Sequence, residues 1–149
     1  MFISSVSTSH VQTCGPDASI LKVAQQMRTA NVGDVVIVED RNGQAVPIGV
    51  VTDRDLVIHI MAKHLDPAQT TVMSIPRRKL VTAYEGEQLE VATQRMRWSG
   101  VRRIPLVDSG GALIGIISLD DIVNNLANTL QQLLCIGHNQ AMEERLHLN

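Results

Sequence analysis

The sequence is poor in aromatic residues and cysteines and has no long apolar run. One Phe, one Tyr and one Trp occur in 149 residues, so a hydrophobic core must be built from Val, Ile, Leu, Ala and Met. The longest apolar run, residues 45–51, contains Pro and Gly and is far too short to span a membrane. The first residues lack the basic start and apolar stretch of a signal peptide. Cys14 and Cys135 lie far apart without CxxC spacing, which favours free thiols in a cytoplasmic protein.

An excess of charge of one sign is also missing. The formal net charge of -2 gives no basic footprint for nucleic acid or for a membrane surface. No GxSxG, HExxH or Gly-rich phosphate loop is present, and no nucleophile stands beside a base. His59 and His64 are five residues apart, without the i, i+4 spacing of a metal pair. The sequence therefore predicts no catalytic residues, no metal site, no nucleic-acid partner and no membrane partner.

What the sequence does contain is an internal repeat. With a shift of 69 positions, residues 11–38 align with residues 80–107 without a gap. After a loop that is three residues longer in the first copy, the shift becomes 66, and residues 49–55 align with residues 115–121. Six of the first 28 aligned positions are identical: Thr13/Thr82, Gln25/Gln94, Met27/Met96, Arg28/Arg97, Val32/Val101 and Val38/Val107. A duplicated structural unit is therefore predicted.

Each copy has the same predicted order of elements, β-α-β-β-α. Apolar residues at i, i+3, i+4 and i+7 predict the first helix, and Ser19 stands where its cap belongs. Asn-Gly and Gly-Gly pairs predict the turns between the second and third strands. The second helix follows directly on Thr52 or Ser118. The strands are predicted at residues 10–13, 35–38 and 48–51, and again at residues 79–82, 104–107 and 113–117.

The domain boundaries follow from the repeat. The first unit is predicted to cover residues 1–66 and the second residues 67–130, with Asp66-Pro67 as the clearest break between them. Residues 131–149 are predicted to form a C-terminal helical extension, and Gly137 is predicted to end the final helix.

Two short motifs carry a family resemblance. Residues 49–56 (GVVTDRDL) and 115–122 (GIISLDDI) fit the pattern G-h-h-[ST]-x-x-D-h, where h is apolar, and residues 101–108 (VRRIPLVD) form a matching middle-strand entry. Residues 1–130 thus resemble a stand-alone, bacterial-type pair of cystathionine-β-synthase (CBS) domains. The resemblance implies an α/β fold in which two β-α-β-β-α units pack through their sheets into one module. It also implies adenosine-containing ligands in clefts between the units, and regulation of another protein.

The motif ends, Thr52-x-x-Asp55 and Ser118-x-x-Asp121, are the main candidate ligand contacts. Each lies where a strand meets a helix N-terminus, which suits a phosphate. A hydroxyl there can donate to phosphate, and a carboxylate can accept both hydroxyls of a ribose. The same spacing is close to that of a capping box, which would make these residues structural. The two interpretations are compatible, since a capping residue can also face a ligand.

The basic residues differ between the copies. Arg102 and Arg103 precede the second middle strand, where the first copy has Gly33 and Asp34. This difference predicts unequal clefts, with a phosphate favouring the one that Arg102 or Arg103 reaches. Further candidate cations are Arg54, Arg77 and Arg78, for which an ordinary surface role is the alternative.

For an adenine base, the resemblance implies an apolar slot with backbone hydrogen bonds. The slot is expected at the ends of the first strands and along the middle strands. Plain core packing is the alternative for these aliphatic residues and for the first cysteine. The residues concerned are Thr13, Cys14, Thr82, Ala83, Val35, Val36 and Ile104.

The final helix carries an apolar stripe that continues past the length of the first copy's helix. An extended apolar face needs to be covered, which predicts a homodimer through this helix. Folding back onto its own module is the alternative. The stripe consists of Ile122, Val123, Leu126, Ala127, Leu130, Leu133 and Leu134.

Together these features predict a cytoplasmic, non-catalytic sensor that needs no cofactor. Its expected ligand is an adenine nucleotide or another adenosyl compound: AMP, ADP, ATP or S-adenosylmethionine. It is expected to relay ligand occupancy to an unidentified regulated protein. The alternative is a ligand-free structural or oligomerisation module that acts through protein–protein contacts.

Overall fold

Two three-stranded sheets, one from each copy of the repeat, form the centre of the protein. The computed structural model describes residues 1–147, with the side chains of residues 1–137 and of Gln140. The first unit contains β1 (Thr13–Cys14), α1 (Ile20–Ala30), β2 (Asp34–Arg41), β3 (Gln44–Thr52) and α2 (Asp53–Leu56), which a π-helical turn at Val57–Met61 continues. The second unit contains β4 (Ala83–Tyr84), α3 (Leu89–Ser99), β5 (Arg103–Val107), β6 (Leu113–Ser118) and α4 (Leu119–His147). The predicted α/β class and the order of elements are confirmed.

Both sheets have the same topology. The strand orders are β1-β2-β3 and β4-β5-β6, with the first strand parallel and the third antiparallel to the middle one. β3 and β6 contact each other, so the units meet through these strands. Among residues 1–147, no helix combines the length and apolarity needed to cross a membrane.

Local sequence signals explain where the first helices begin and end. The Ser19 hydroxyl accepts a backbone N–H of the first turn of α1, which satisfies one of the unpaired donors there. α1 and α3 both end at residues in the left-handed conformation, Asn31 and Gly100. Asn42-Gly43, both with positive φ, forms the two-residue turn between β2 and β3.

The first strand of each unit begins later than predicted. The strands are Thr13–Cys14 and Ala83–Tyr84 rather than residues 10–13 and 79–82. The reason is that parallel pairing with the middle strands covers only these two-residue segments. The residues ahead of them are therefore left to line the clefts between the units.

The prediction that Gly137 ends the final helix is wrong. α4 continues through Gly137 to His147, and Leu148 and Asn149 lie outside the described residues. A glycine inside a helix costs about 1 kcal/mol relative to alanine. That penalty is small compared with the combined helix propensity of the Leu, Gln, Met and Glu residues that surround Gly137 in this 29-residue helix.

Each unit's core is completed by a segment from the other half of the chain. Ile3, in a 3₁₀ turn at Ile3–Ser5, is 0% exposed and packs in the core of the second unit. Val72, in the equivalent turn at Val72–Ser74, is 0% exposed and packs in the core of the first unit. Residues 1–9, predicted as part of the first unit, therefore pack against the second.

Equivalent backbone hydrogen bonds fix both exchanged segments. The Leu89 N–H donates to the Met1 carbonyl at 2.9 Å, and the Ile3 N–H donates to Glu87 at 3.1 Å. In the first unit, the matching donors Ile20 and Val72 bond to Thr70 at 2.9 Å and to Ala18 at 3.0 Å. The exchange thus follows the symmetry of the repeat.

We expect Ile3→Ala to destabilise the whole protein. Removing a fully buried isoleucine side chain costs about 2–5 kcal/mol through lost burial and the cavity left behind. Urea denaturation followed by circular dichroism measures this loss. Ser4→Ala, an exposed change one residue away, is the control and should stay within about 0.5 kcal/mol. Equal effects of the two substitutions would contradict the packing of the N-terminal segment.

Candidate functional site

Two clefts of unequal size lie between the units. The larger cleft, about 470 Å³, lies between the start of α2 in the first unit and the entry to β5 in the second. It is lined by Ile37, residues 50–55, Val72, residues 75–81, residues 100–103 and Asp120. The smaller cleft, about 220 Å³, lies between the end of β6 and the entry to β2. It is lined by Thr8, residues 10–12, residues 31–34, Arg103, Ile116, Ser118 and Asp121.

Both Thr/Ser-x-x-Asp sequences form capping boxes. The Thr52 hydroxyl accepts the Asp55 N–H at 3.2 Å, and the Thr52 N–H donates to Asp55 Oδ2 at 2.9 Å. The Ser118 hydroxyl and the Asp121 carboxylate make the same two bonds, at 3.1 and 3.0 Å. In addition, each hydroxyl donates to the Oδ2 of its own aspartate, at 2.9 and 2.6 Å. The structural role considered for these residues is therefore present in both units.

The capping bonds leave one carboxylate oxygen of each box available. Within the described chain, Asp55 Oδ1 and Asp121 Oδ1 make no hydrogen bond, whereas both Oδ2 atoms already accept two. The free oxygens can accept from a ligand hydroxyl. The hydroxyl groups of Thr52 and Ser118 already donate to their own carboxylates, so they are poorly placed to donate to a phosphate.

The larger cleft carries most of the positive charge. Its lining includes three carboxylates, of Asp53, Asp55 and Asp120, and six basic side chains: Arg54, Arg77, Arg78, Lys79, Arg102 and Arg103. The lining of the smaller cleft includes two basic side chains, His10 and Arg103, and two carboxylates, of Asp34 and Asp121. The predicted inequality of the two clefts is thus seen in the structure, and an anionic ligand suits the larger one.

The two arginines before β5 have different surroundings. Arg102 lies at the rim and pairs with Asp120 at 3.2 Å, with both side chains more than 60% exposed. Arg103 is half-buried, and its Nε lies 2.8 Å from Oδ1 of Asp34 in the other unit. Burial raises the pKa of the Asp34 carboxyl, and the neighbouring Arg103 guanidinium opposes that rise.

The clefts also differ at the outer edge of the sheet. In the smaller cleft, Thr8 and Ile116 exchange two backbone hydrogen bonds of 2.9 Å, which close the edge of β6. The equivalent residue of β3 is Val50. Its partner Val36 donates its N–H towards β1, so the backbone groups of Val50 point away from β2, to the outer edge. In the described chain they make no bond outside their own sheet. The larger cleft therefore has an open strand edge.

A glycine accounts for the closed edge. A Cβ atom at Gly115 would lie 2.9 Å from the Thr8 carbonyl oxygen, closer than backbone and side chain can approach. At the equivalent Gly49, the nearest atoms are side-chain carbons of Ile37 and Arg77, 3.4 and 3.5 Å away. Gly115 is therefore required by the close approach of the N-terminal segment, whereas Gly49 is not.

Comparison with known proteins places this architecture in a family. The family model for the CBS domain matches residues 3–62 and again residues 72–128. The chain belongs to the CBS domain family.

Individual CBS proteins resemble the chain over most of its length. CBS domain-containing protein YhcV of Bacillus subtilis is 36% identical over 122 residues, which cover 81% of this chain and 83% of YhcV. Protein MK0525 of Methanopyrus kandleri is 33% identical over 121 residues, and the match spans 60% of its length. The structure of the CBS domain protein PAE2072 from Pyrobaculum aerophilum, complexed with AMP, superposes with a TM-score of 0.73 at 25% identity. That match covers 86% of this chain and 99% of PAE2072.

The structure places half of the predicted site residues at the clefts. The larger cleft brings together Thr52, Arg54, Asp55, Arg102 and Arg103, and the smaller one Ser118 and Asp121, again with Arg103. The residues predicted for the base slot line neither cleft. Val35, Val36, Ala83 and Ile104 are 0% exposed in the core, while Thr13, Cys14 and Thr82 lie half-buried where the first strands begin. Because those strands start late, the residues ahead of them line the clefts instead.

Sequence reasoning missed several lining residues and had no strong signal for them. Lys79, Leu80 and Val81 line the larger cleft although they were predicted as a strand. Val50 faces the cleft through its backbone, which no side-chain pattern reveals. Asp34 was noted as a difference between the copies, but not as a partner of Arg103. No three His, Cys, Asp or Glu side chains in the described chain form a group suited to a metal ion.

We expect Gly115→Ala to destabilise the protein more than Gly49→Ala. The new methyl group at Gly115 has to displace backbone, which costs about 1–3 kcal/mol in a packed site. At Gly49 it meets only side-chain carbons at ordinary contact distance. Urea denaturation gives the free energies, and hydrogen exchange at the Ile116 amide reports on the Thr8 bridge. Equal losses, with unchanged protection of Ile116, would contradict this explanation of the closed edge.

Proposed function

We propose that this CBS-domain pair is a non-catalytic regulatory module that binds an adenine nucleotide or another adenosyl ligand in the larger cleft. The observation that carries the proposal is the combination, in one cleft, of a free carboxylate oxygen, an excess of basic side chains and an open strand edge. AMP, ADP, ATP and S-adenosylmethionine are the candidate ligands. The AMP complex of the similar protein PAE2072 supports an adenosyl ligand.

Each part of such a ligand has a counterpart in the cleft. Asp55 Oδ1 can accept from a ribose hydroxyl. The phosphate can pair with Arg102 or Arg103, whose guanidinium groups offer a planar fork of donors. The base can lie against the aliphatic side chains of Leu80 and Val81 and bond to the backbone of Val50. The cleft volume of about 470 Å³ lies within the usual range for small-molecule sites, about 300–1,000 Å³.

A ligand in this position would act on both units at once. The ribose contact belongs to the first unit, and the phosphate contacts belong to the second. Binding would therefore favour the relative packing of the units in which both sets of contacts are made. That shift in population is the proposed signal to a regulated protein.

We expect AMP, ADP, ATP or S-adenosylmethionine at millimolar concentration to raise the thermal unfolding midpoint of the protein, since a ligand that binds the native state stabilises that state.

Asp55→Ala should weaken ligand binding by about tenfold or more, because the substitution removes the ribose acceptor. Asp121→Ala, which deletes the same capping box beside the smaller cleft, is the matched control and should retain the affinity. Each affinity is measured by calorimetry at a temperature where the variant is folded. Absence of binding by all four compounds would contradict the proposal.

The second candidate function is a ligand-free oligomerisation module, and one observation favours it. Both capping boxes are complete without a ligand. Under this alternative the clefts stay empty, and the chain acts only through contacts made by its helices.

Self-association is compatible with either function, because α4 carries an exposed apolar stripe. Ile122, the first residue of the stripe, is buried in the core of the second unit. Val123, Leu126, Leu130 and Leu133 are 50–62% exposed, so from Val123 to Ile136 the stripe does not fold back onto its own module. Their spacing of three, four and three residues is that of the core positions of a coiled coil. We propose that a second copy covers this stripe in a homodimer.

We expect the protein to have twice the 16.3 kDa mass of the chain in multi-angle light scattering. Leu130→Glu should shift it to the monomer, because a carboxylate at a core position of the helix pair loses its water without gaining a partner. The matched control is Thr129→Glu, at the neighbouring position outside the stripe. A monomeric wild-type protein at working concentration would overturn the homodimer.

A further inference from the structure

The ion pair between the units joins two equivalent positions of the repeat. Asp34 opens β2 and Arg103 opens β5, and the shift of 69 residues that relates the copies places one upon the other. Arg103 Nε and Asp34 Oδ1 are 2.8 Å apart, with the side chains 33% and 12% exposed. The pair therefore lies on the axis that relates the units, between the two clefts.

Arg103 faces both clefts, whereas Asp34 faces only the smaller one. Its Nε faces the Asp34 carboxylate, whereas its two terminal amino groups make no hydrogen bond within the described chain, so those two groups remain for a ligand in the larger cleft. Asp34 depends on this one partner, because its carboxylate has no other ion pair or hydrogen bond within residues 1–147. The carboxylates of Asp53 and Asp121 are close enough to raise the pKa of Asp34, and they increase the local need for a cation.

We propose that Asp34 is a specificity-determining residue of the larger cleft, because its carboxylate competes with a ligand phosphate for the guanidinium of Arg103. The proposal rests on the proposed function and adds a residue that makes no contact with the ligand. A phosphate that binds Arg103 has to weaken the attraction between the guanidinium and the poorly hydrated carboxylate of Asp34. Asp34 thereby limits how strongly the cleft prefers a phosphorylated adenosyl ligand to the uncharged nucleoside.

The same competition gives the clefts different charge preferences. When a phosphate in the larger cleft engages Arg103, the smaller cleft retains the carboxylates of Asp34 and Asp121 with less compensation. The smaller cleft then disfavours a second anion. One phosphorylated ligand per chain is the expected stoichiometry.

The experiment compares the affinities of AMP and adenosine by isothermal titration calorimetry in the full-length protein. Asp34→Asn keeps the shape of the side chain and removes its charge. The preference for AMP over adenosine should rise by about tenfold, the effect of one charge-assisted hydrogen bond. Asp17→Asn, which makes the same change at an exposed position outside both clefts, should leave the preference as in the wild type.

A second variant tests the proposal independently if Asp34→Asn does not fold. Asp34→Arg combined with Arg103→Asp restores an ion pair but moves the cation to the position that faces only the smaller cleft. Its preference for AMP over adenosine should fall below that of the wild type. Thermal unfolding of the same samples shows that each variant is folded.

The outcomes separate this proposal from the proposed function. If the wild type binds AMP and Asp34→Asn changes the preference by less than about twofold, competition by Asp34 is overturned and nucleotide binding stands. If neither the wild type nor the variants bind AMP or adenosine, the role of Asp34 is overturned, and the proposed function falls with it when ADP, ATP and S-adenosylmethionine also fail to bind.

Discussion

The exchange of Ile3 and Val72 between the units is the constraint on which the rest of the structure depends. Ile3 comes from the first unit and is 0% exposed in the core of the second, whereas Val72 comes from the second unit and is 0% exposed in the core of the first. Neither unit can complete its core alone, so the halves fold as one body. The exchanged segments also lead directly into Thr8, residues 10–12 and residues 75–81, which line the clefts. The packing that stabilises the fold thus also places the walls of the candidate site.

The sequence predicts what depends on local interactions and misses what depends on pairing across the chain. The helices, the Asn42-Gly43 turn and both capping boxes follow from residues within one turn of each other, and all are present. The exchange could not be predicted, because an apolar residue such as Ile3 gives no sign of which core it enters. The base-slot residues were misplaced for a related reason. Where β1 and β4 begin is decided by the register with β2 and β5, not by their own composition.

The repeat explains why the clefts are similar, and a few non-equivalent residues explain why they differ. Thr8 bonds to Ile116 and closes one strand edge, whereas its counterpart Arg77 makes no such bond to Val50. Gly115 permits that closure by leaving room for the Thr8 carbonyl. The edge that stays open lies beside the basic side chains, so space and positive charge coincide in one cleft.

The ion pair at the axis by itself makes the two clefts differ in charge. A residue on an axis between two repeated units faces its own counterpart, so identical charged residues there would place like charges in contact. Asp34 and Arg103 instead form an ion pair of 2.8 Å, which the two copies can make only by differing at that position. The guanidinium then faces the larger cleft and the carboxylate faces only the smaller. An ionic contact at the centre of a duplicated fold therefore yields two clefts of different charge, and it couples them because both border the same guanidinium.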